Sequence, residues 1–281
     1  MKFEGRIESI RTRLLNLSRS RGESFDFVLA RYGVERFLHR LAQSGHAGHF
    51  ILKGATLFQV WNPELHRPTR DLDLLGSGPD DPEKLRRTVL DVMRVVCAED
   101  GLVFDEGSLS VEPIRSDMDY GGLRAKFRAL LGKIRISVQV DVGFGDAVTP
   151  GPELLDLPSL LPDLSDIRLR SYPVATVIAE KFEALVRLDM QNSRMKDFFD
   201  LDFLLGGSPP DRSELEAAIK ATFGRRETAL PADQPAGLSD DFVAEKSVMW
   251  DAFLRKNGLE PRDFGEVVEN VREKTAWLWT G

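Results

Sequence analysis

The stretch from residue 50 to residue 75 constrains the fold more than any other part of the chain. It starts with a short apolar run at residues 50–52, which is typical of a buried strand. A glycine turn, a short helical segment and a proline-containing loop follow, and residues 69–75 then alternate between polar and apolar side chains. Alternation with a period of two predicts a second strand. The stretch therefore predicts a strand–turn–helix–strand unit.

Two carboxylates, Asp71 and Asp73, lie two residues apart on the second strand and therefore point to the same face. They repel each other unless water screens them or a divalent cation binds both. Hard cations such as Mg²⁺ are held by one or two carboxylates together with substrate phosphates, and the turn at Gly54 offers backbone N–H groups to a phosphate. One interpretation is a metal–nucleotide site, and the alternative is a solvated strand end.

Two further segments, residues 123–131 and 134–142, also alternate strictly and predict two more half-buried strands. Their polar faces carry one carboxylate near a strand end, Asp141, and a row of basic side chains, Arg124, Lys126 and Arg128. A half-exposed sheet explains this pattern. Alternatively, Asp141 is a third carboxylate beside the first two, and the basic side chains form a floor for phosphates or an RNA strand.

The remaining segments predict helices around this sheet. Apolar residues repeat at helical spacing in residues 1–49, and a proline-initiated helix is expected from residue 82 to about residue 99. Residues 145–165 are rich in proline and leucine and are expected to be an irregular connection, whereas the chain beyond residue 172 is almost entirely helical in pattern. We therefore expect two domains, with the N-terminal helices and the sheet in residues 1–165 and a mostly helical lobe in residues 166–281.

Composition and charge narrow the class of protein. The net charge of −7 argues against a general nucleic-acid-coating protein. No stretch approaches the roughly 20 apolar residues that span a bilayer, and the N-terminus lacks the apolar core of a signal peptide. Cys97 is the single cysteine, so no intramolecular disulfide can form, and four scattered histidines argue against a zinc site. A cytoplasmic protein without membrane contact is expected.

Four blocks in the chain carry a resemblance to a known family. They are LKGATLF (52–58), TRDLDLL (69–75), VQVDVGF (138–144) and AEKFEALVRLDMQNSRMKDFFDLDFLL (179–205). Together they resemble the AbiEii/AbiGii-type nucleotidyltransferase toxins of bacterial toxin–antitoxin and phage-defence systems. These toxins, with the MenT-type toxins among them, are a branch of the polymerase-β-like superfamily. The resemblance covers roughly residues 25–206, and the last block is its most specific part.

The resemblance implies a role for each matching residue. Asp71 and Asp73 match the metal-binding pair, and Asp141 matches the third carboxylate of the superfamily. Lys181 matches the lysine that contacts the triphosphate, and Asp197 matches an essential aspartate of the last motif. The catalytic set is then Asp71, Asp73, Asp141, Lys181, Asp197 and Asp200, with Asp71, Asp73 and Asp141 as metal ligands. The expected nucleotide-binding set is Lys53, Gly54, Thr56, Thr69, Arg70, Lys181 and Arg187, and the expected RNA-binding set is Arg124, Lys126 and Arg128.

Spacing alone leaves the role of the last acidic pair open. Asp197 and Asp200 lie three apart on a predicted helix and therefore share one of its faces. They could orient Lys181 or Arg187, or cap the helix that begins near Met195. The alternative is an exposed acidic helix start, which the helix dipole favours.

The resemblance and the residues together lead to one functional expectation. The fold is α/β (α+β), with a polymerase-β-like core, a small mixed sheet and a C-terminal helical lobe that completes the active site. The protein is expected to be a toxin that transfers NMP from an NTP to an RNA acceptor, a tRNA 3′ end, and so inhibits translation. Mg²⁺ or Mn²⁺ is the expected cofactor, and a cognate antitoxin is the expected protein partner. The alternatives are an NTP-dependent phosphotransferase and a non-catalytic nucleotide- or RNA-binding module.

Overall fold

The computed structural model of the protein describes residues 2–62, 69, 71–114 and 121–280. The chain forms two compact units. The first comprises Met1–Gly145 and Glu153–Ser171, and the second comprises Asp146–Pro152 and Tyr172–Gly281.

The first unit contains a mixed sheet and helices. The strands are β1 (Phe50–Lys53), β2 (Asp71–Gly76), β3 (Leu102–Pro113), β4 (Gly122–Leu131), β5 (Ile134–Phe144), β6 (Glu153–Leu157) and β7 (Ile167–Ser171). The helices are α1 (Lys2–Arg21), α2 (Phe25–Gln43), the short α3 (Phe58–Trp61) and α4 (Pro82–Met93). Within the described residues the sheet has seven strands in the order β3-β4-β5-β2-β1-β7-β6. The pairs β2–β5 and β1–β7 are parallel, and the other pairs are antiparallel. The predicted mixed α/β class is confirmed.

Helix α2 covers the apolar face of the sheet. The ring of Phe37 lies 5.1 Å from the ring of Phe127 on β4 and 6.0 Å from that of Phe104 on β3, measured between centroids. Gly33 allows the helix to come close, because a Cβ at this position would stand 2.9 Å from a methyl group of Ile136. Burying each such large apolar side chain contributes roughly 1.5–3 kcal/mol. The opposite, polar face of β2, β4 and β5 is left to carry the charged side chains.

Strand β3 contains a register shift between Asp105 and Ser110, which interrupts the alternation without ending the strand. Two segments differ from the sequence expectation. Strand β6 lies within residues 145–165, which were expected to be irregular. This strand lies at the edge of the sheet and pairs with β7 on one side. An edge strand of this kind leaves only a weak pattern in the sequence. Helix α4 ends at Met93 rather than near Glu99.

The second unit is helical. Its helices are α5 (Val174–Leu188), α6 (Met195–Gly206), α7 (Arg212–Arg225), α8 (Asp240–Asn257) and α9 (Phe264–Thr275). Phe198 of α6 packs on Phe242 of α8 and Phe264 of α9, with ring centroids 5.3 and 5.4 Å away. Trp250 stacks on Phe264 at 5.0 Å and donates its indole N–H to the carbonyl of Arg262. This aromatic cluster fixes α6 within the unit. None of the helices in the described residues is long and apolar enough to cross a bilayer.

Candidate active site

The acidic pair of β2 lies in the middle of the sheet, between β5 and β1. In the strand register Asp73 is paired with Asp141 on one side and with Lys53 on the other. Residues that pair across neighbouring strands project from the same face, and so do residues two apart on one strand. Asp71, Asp73 and Asp141 therefore share the polar face of the sheet. Asp71 is exposed and Asp73 is half-buried, so this face is open to a ligand.

Gly54 lies directly beneath the carboxylate of Asp73. This glycine follows β1 with a φ of 74° and opens a short 3-10 helix, Gly54–Leu57. A Cβ at this position would stand 2.8 Å from the Cβ of Asp73 and would collide with its carboxylate. The sequence suggested glycine as a source of backbone N–H donors. The structure adds a second reason, because only glycine leaves room for Asp73.

Substituting Gly54 tests this close approach. We expect Gly54→Ala to lower the free energy of unfolding by about 1–3 kcal/mol, because alanine resists the left-handed backbone conformation. It should also displace Asp73 and reduce activity. Urea unfolding of this variant beside Gly45→Ala measures the effect, since Gly45 has open space around it and no positive φ. Equal stability of the two variants would contradict the packing described here.

Asp141 is held by an arginine on the neighbouring strand. The Nε and Nη2 atoms of Arg124 donate to its two carboxylate oxygens at 2.8 and 2.7 Å. These hydrogen bonds raise the pKa of Arg124 above its usual value. Each carboxylate oxygen has two acceptor sites. Arg124 therefore orients Asp141 and still leaves acceptor capacity on each oxygen.

The other two basic residues of β4 are also paired with carboxylates. Lys126 donates to Glu112 at 2.7 Å, and Arg128 donates to Asp105 at 2.8 Å. With the Arg124 pair, the three cations predicted to contact RNA each face an acidic neighbour. This face is therefore charge-balanced rather than uniformly basic, and RNA contact by these side chains stays a prediction.

A metal ion fits part of this acidic set. Within the described residues no group of three or more His, Cys, Asp or Glu side chains is arranged to hold a metal ion. A Mg²⁺ ion bound by one or two carboxylates and substrate phosphates needs no such group. Asp71 and Asp73, on one face of β2, are the oxygen donors that this kind of site requires. A role for Asp141 as a further ligand stays a prediction.

The remaining predicted nucleotide contacts in the first unit differ in exposure. Lys53 is half-buried at the end of β1, whereas Thr56 is only 3% exposed. Thr69 is near β2, and its hydroxyl donates to the carbonyl of Asp71 at 3.4 Å. Arg70 lies outside the described residues.

Two polar residues that the sequence reasoning missed lie beside this region. Arg31 of α2 donates to the side-chain carbonyl of Gln59 at 3.2 Å, and both line a small cavity together with Thr56, Thr69 and Asp71. Burial lowers the pKa of Arg31 from its usual value. The one sequence feature that could have indicated these residues is Arg31, a cation inside the apolar stripe of α2.

A second charged cluster is built on α5 and α6, in the second unit. The ammonium group of Lys181 donates to Asp197 at 2.9 Å and to Asp200 at 2.6 Å. Both carboxylates are 1% exposed, and Arg194 also donates to Asp197. The prediction that the acidic pair orients Lys181 agrees with these hydrogen bonds. The alternative of an exposed acidic helix start is wrong, because both carboxylates are buried and accept hydrogen bonds from Lys181 of α5.

The charge of Asp197 is maintained despite its burial. Burial by itself raises the pKa of this carboxyl, but the charges of Lys181 and Arg194 and their hydrogen bonds outweigh it. The net pKa therefore lies well below the usual value for aspartate. The side-chain amino group of Lys181 is therefore held in position by two buried carboxylates.

Arg187 has a different neighbour from the one the sequence suggested. It donates to Glu183, one turn earlier on α5, at 2.8 Å. Glu183 is fully buried and also accepts hydrogen bonds from Arg226 and Thr228, both at 2.8 Å. This buried network was not predicted, because residues 226 and 228 are distant in sequence. Nucleotide contact by Arg187 stays a prediction.

A family model decides the relationship of the chain to known proteins. The model describes the nucleotidyl transferase AbiEii toxin of a type IV toxin–antitoxin system, and it matches residues 36–270. The chain belongs to this family. The matched range contains both the carboxylates of the sheet and the Lys181 cluster. The predictions of a nucleotidyltransferase and of a toxin component are confirmed, and AbiEii membership implies an NTP substrate and an antitoxin partner.

Solved structures from Helicobacter pylori are similar to this AbiEii family member. One is a protein provisionally described as a nucleotidyltransferase, with 14% identity and a TM-score of 0.46, covering 88% of this chain and 91% of its own. Another is the protein JHP933, with 14% identity and a TM-score of 0.45, covering 88% of each chain. No curated protein matches this chain in sequence.

Proposed function

We propose that this AbiEii family member transfers NMP from an NTP to an RNA acceptor in a divalent-metal-dependent reaction. The proposed acceptor is the 3′ end of a tRNA, and the proposed consequence is a block on translation. One observation carries the proposal. Asp71 and Asp73 share an open sheet face, with Asp73 seated over Gly54 and paired in register with Asp141.

The proposed chemistry makes one P–O bond and breaks another. A hydroxyl of the acceptor RNA attacks the α-phosphorus of the NTP and loses its proton, and pyrophosphate leaves. Mg²⁺ or Mn²⁺ held by Asp71 and Asp73 would neutralise phosphate charge. Asp141 is the proposed acceptor for the hydroxyl proton, and Arg124 keeps its carboxylate in a fixed orientation.

Lys181 is the proposed charge partner of the leaving pyrophosphate. A fixed cation stabilises the charge that develops on a leaving group without reorganising during the reaction. The hydrogen bonds from Lys181 to two buried carboxylates support this role, because they hold the ammonium group in place. Asp197 and Asp200 are then positioning residues.

The acceptor contacts are proposed to involve phosphates rather than bases. Arg124, Lys126 and Arg128 project from one face of β4, which is paired with β5, the strand that carries Asp141. Cationic side chains of this kind position a nucleic acid without reading its sequence. A phosphate contact by Lys126 or Arg128 would replace the carboxylate partner that each has now, which favours a weak interaction that releases its product.

Label transfer to tRNA tests the proposal. Purified protein, total tRNA and Mg²⁺ are incubated with each α-³²P-NTP in turn, with Asp71→Ala and Lys181→Ala run in parallel. We expect label to enter tRNA with wild type and to be lost in both variants. An exposed lysine in the turn after β4, Lys133, supplies the control variant Lys133→Ala. Absence of tRNA label with every NTP would contradict the proposed acceptor.

A further inference from the structure

A separate cavity lies at the other end of the central strands. It has a volume of about 320 Å³, and Phe50 of β1, Gly76 of β2 and Phe144 of β5 line it together with one side of α4. In the strand register Phe50 and Phe144 are both paired with Gly76. Cavities of 300–1,000 Å³ are the usual size of small-ligand sites.

This cavity is distinct from the acidic site. Gly76 is five residues beyond Asp71 along β2, which corresponds to about 16 Å in an extended strand. Side chains alternate between faces, so position 76 belongs to the face that carries Leu72 and Leu74 and not to the face of Asp71 and Asp73. None of the residues proposed for nucleotidyl transfer lines the cavity.

One wall of the cavity is aromatic and depends on a glycine. A Cβ at Gly76 would stand 2.7 Å from a ring carbon of Phe144, so this ring lies across the bare backbone of β2. Phe50 and Leu85 extend the apolar surface. In the described part of the chain, neither Phe50 nor Phe144 packs against another aromatic ring. Such rings offer a surface on which a planar base can stack.

The rim of the cavity carries two cations that form no direct ion pair with a carboxylate in the described residues. The two acidic residues of the lining are engaged: Asp81 caps α4 by accepting from the N–H groups of residues 83 and 84, and Asp91 pairs with His46 at 3.1 Å. Lys84 and Arg87 have no carboxylate within 4.0 Å in the described residues. This differs from β4, where every basic side chain has an acidic partner. Cations without a direct ion pair are available to bind a phosphate.

We infer that this cavity binds a nucleotide, with its base against Phe50 and Phe144 and its phosphate at Lys84 and Arg87. The nucleotide is either a free one or one unit of an RNA strand, since both present the same base and phosphate. The site is independent of the proposed transfer reaction, because it shares no residue with the acidic pair.

Binding of AMP without metal tests the site. Calorimetric titration in EDTA uses an Asp71→Ala background, which disables the acidic site. We expect Phe144→Ala to weaken AMP binding about tenfold or more, since a stacked base contributes about 1–3 kcal/mol. We expect a loss of the same order in Lys84→Glu, because the substitution places a negative charge beside the phosphate. The matched control is Lys133→Glu, which makes the same charge change in an exposed turn and should leave binding unchanged.

Binding of other ligands tests the aromatic wall and the cations separately. AMP should bind more tightly than adenosine or inorganic phosphate alone, because it uses both the aromatic wall and the cations. A short RNA oligonucleotide that binds more tightly than AMP, with the same loss in Lys84→Glu, identifies an RNA strand as the source. Tighter binding of AMP identifies a free nucleotide.

Two results would overturn the inference. One is no AMP binding at millimolar concentration, and the other is equal binding by Lys84→Glu and Lys133→Glu. Lys84 is exposed, so its variant is expected to fold even where Phe144→Ala does not. Label transfer measured on the protein with Asp71 intact is a separate readout, so failure of one proposal leaves the other testable.

Discussion

Replacing Asp73 with asparagine is expected to reduce nucleotide transfer by about 10³-fold, the scale seen when one preorganised electrostatic contact is removed. The substitution keeps the size of the side chain and so preserves the packing over Gly54. It removes the negative charge that a metal–nucleotide complex requires at this position of β2. The initial rate of α-³²P incorporation measures the loss, and an unfolding curve checks that the protein remains folded.

The control for this experiment is an acidic residue on the same face of the sheet. Glu112 is paired with Lys126 at 2.7 Å and is not part of the acidic pair. We expect Glu112→Gln to retain activity within a few-fold, because a surface ion pair contributes little to stability. Wild-type activity in Asp73→Asn would refute catalysis at the acidic pair and would favour a non-catalytic binding module.

Removing the carboxylate of Asp197 is expected to lower the free energy of unfolding by about 3 kcal/mol or more, the scale measured for breaking a buried ion pair. The side chain is 1% exposed and accepts hydrogen bonds from Lys181 and Arg194. In Asp197→Ala, Lys181 keeps Asp200 but loses the charge and hydrogen bond of Asp197. Urea unfolding of Asp197→Ala beside Asp251→Ala measures the effect, since Asp251 is exposed on α8. Equal stability of the two variants would contradict the cluster as described.

The pH dependence of this effect has a definite sign. The pKa of Asp197 is depressed in the folded protein relative to an ordinary value of about 3.9 in the unfolded chain. Its contribution is therefore fully present above the unfolded pKa and is lost as pH falls toward the folded pKa. The stability difference between wild type and Asp197→Ala should be constant from about pH 5 to 7 and shrink below about pH 4. A difference that grows on acidification would contradict the assignment.

The strands that carry the site were predictable because alternation is a robust signal. The period of two in residues 69–75 and 134–142 determines which side chains share a face, so Asp71 and Asp73 could be placed together without a structure. That Asp141 lies beside them depends on the pairing of β2 with β5. No local pattern encodes strand order, so the strand pattern offered this neighbour only as one of two alternatives, and the family resemblance favoured it.

The ion pairs on the sheet could not be predicted from the sequence. Arg128 meets Asp105 in the register that precedes the shift in β3, and Lys126 meets Glu112 in the register that follows it. The sequence of β4 alone predicts a row of basic side chains. In the folded sheet each of these side chains is paired with a carboxylate. Long-range register, rather than local propensity, determines the charge of this surface.

The burial of Asp197 and Asp200 was also unpredictable from their own segment. Their spacing gives one helix face, and the dipole rule favours an exposed acidic start. The face is buried because it packs toward α5, where Lys181 donates to both carboxylates. The packing partner is another helix, so the sequence of α6 alone does not show this burial. Lys181 was the one useful signal, through its place in the family motif.

The most direct test of nucleotidyl transfer follows two labels in the same reaction. Wild-type protein, total tRNA and Mg²⁺ are incubated with the preferred NTP, labelled in one sample at the α-phosphate and in a parallel sample at the γ-phosphate. We expect the α label on tRNA and the γ label in released pyrophosphate, in equal amounts. Transfer of the γ label to an acceptor, with release of the nucleoside diphosphate, would contradict nucleotidyl transfer and establish a phosphotransferase.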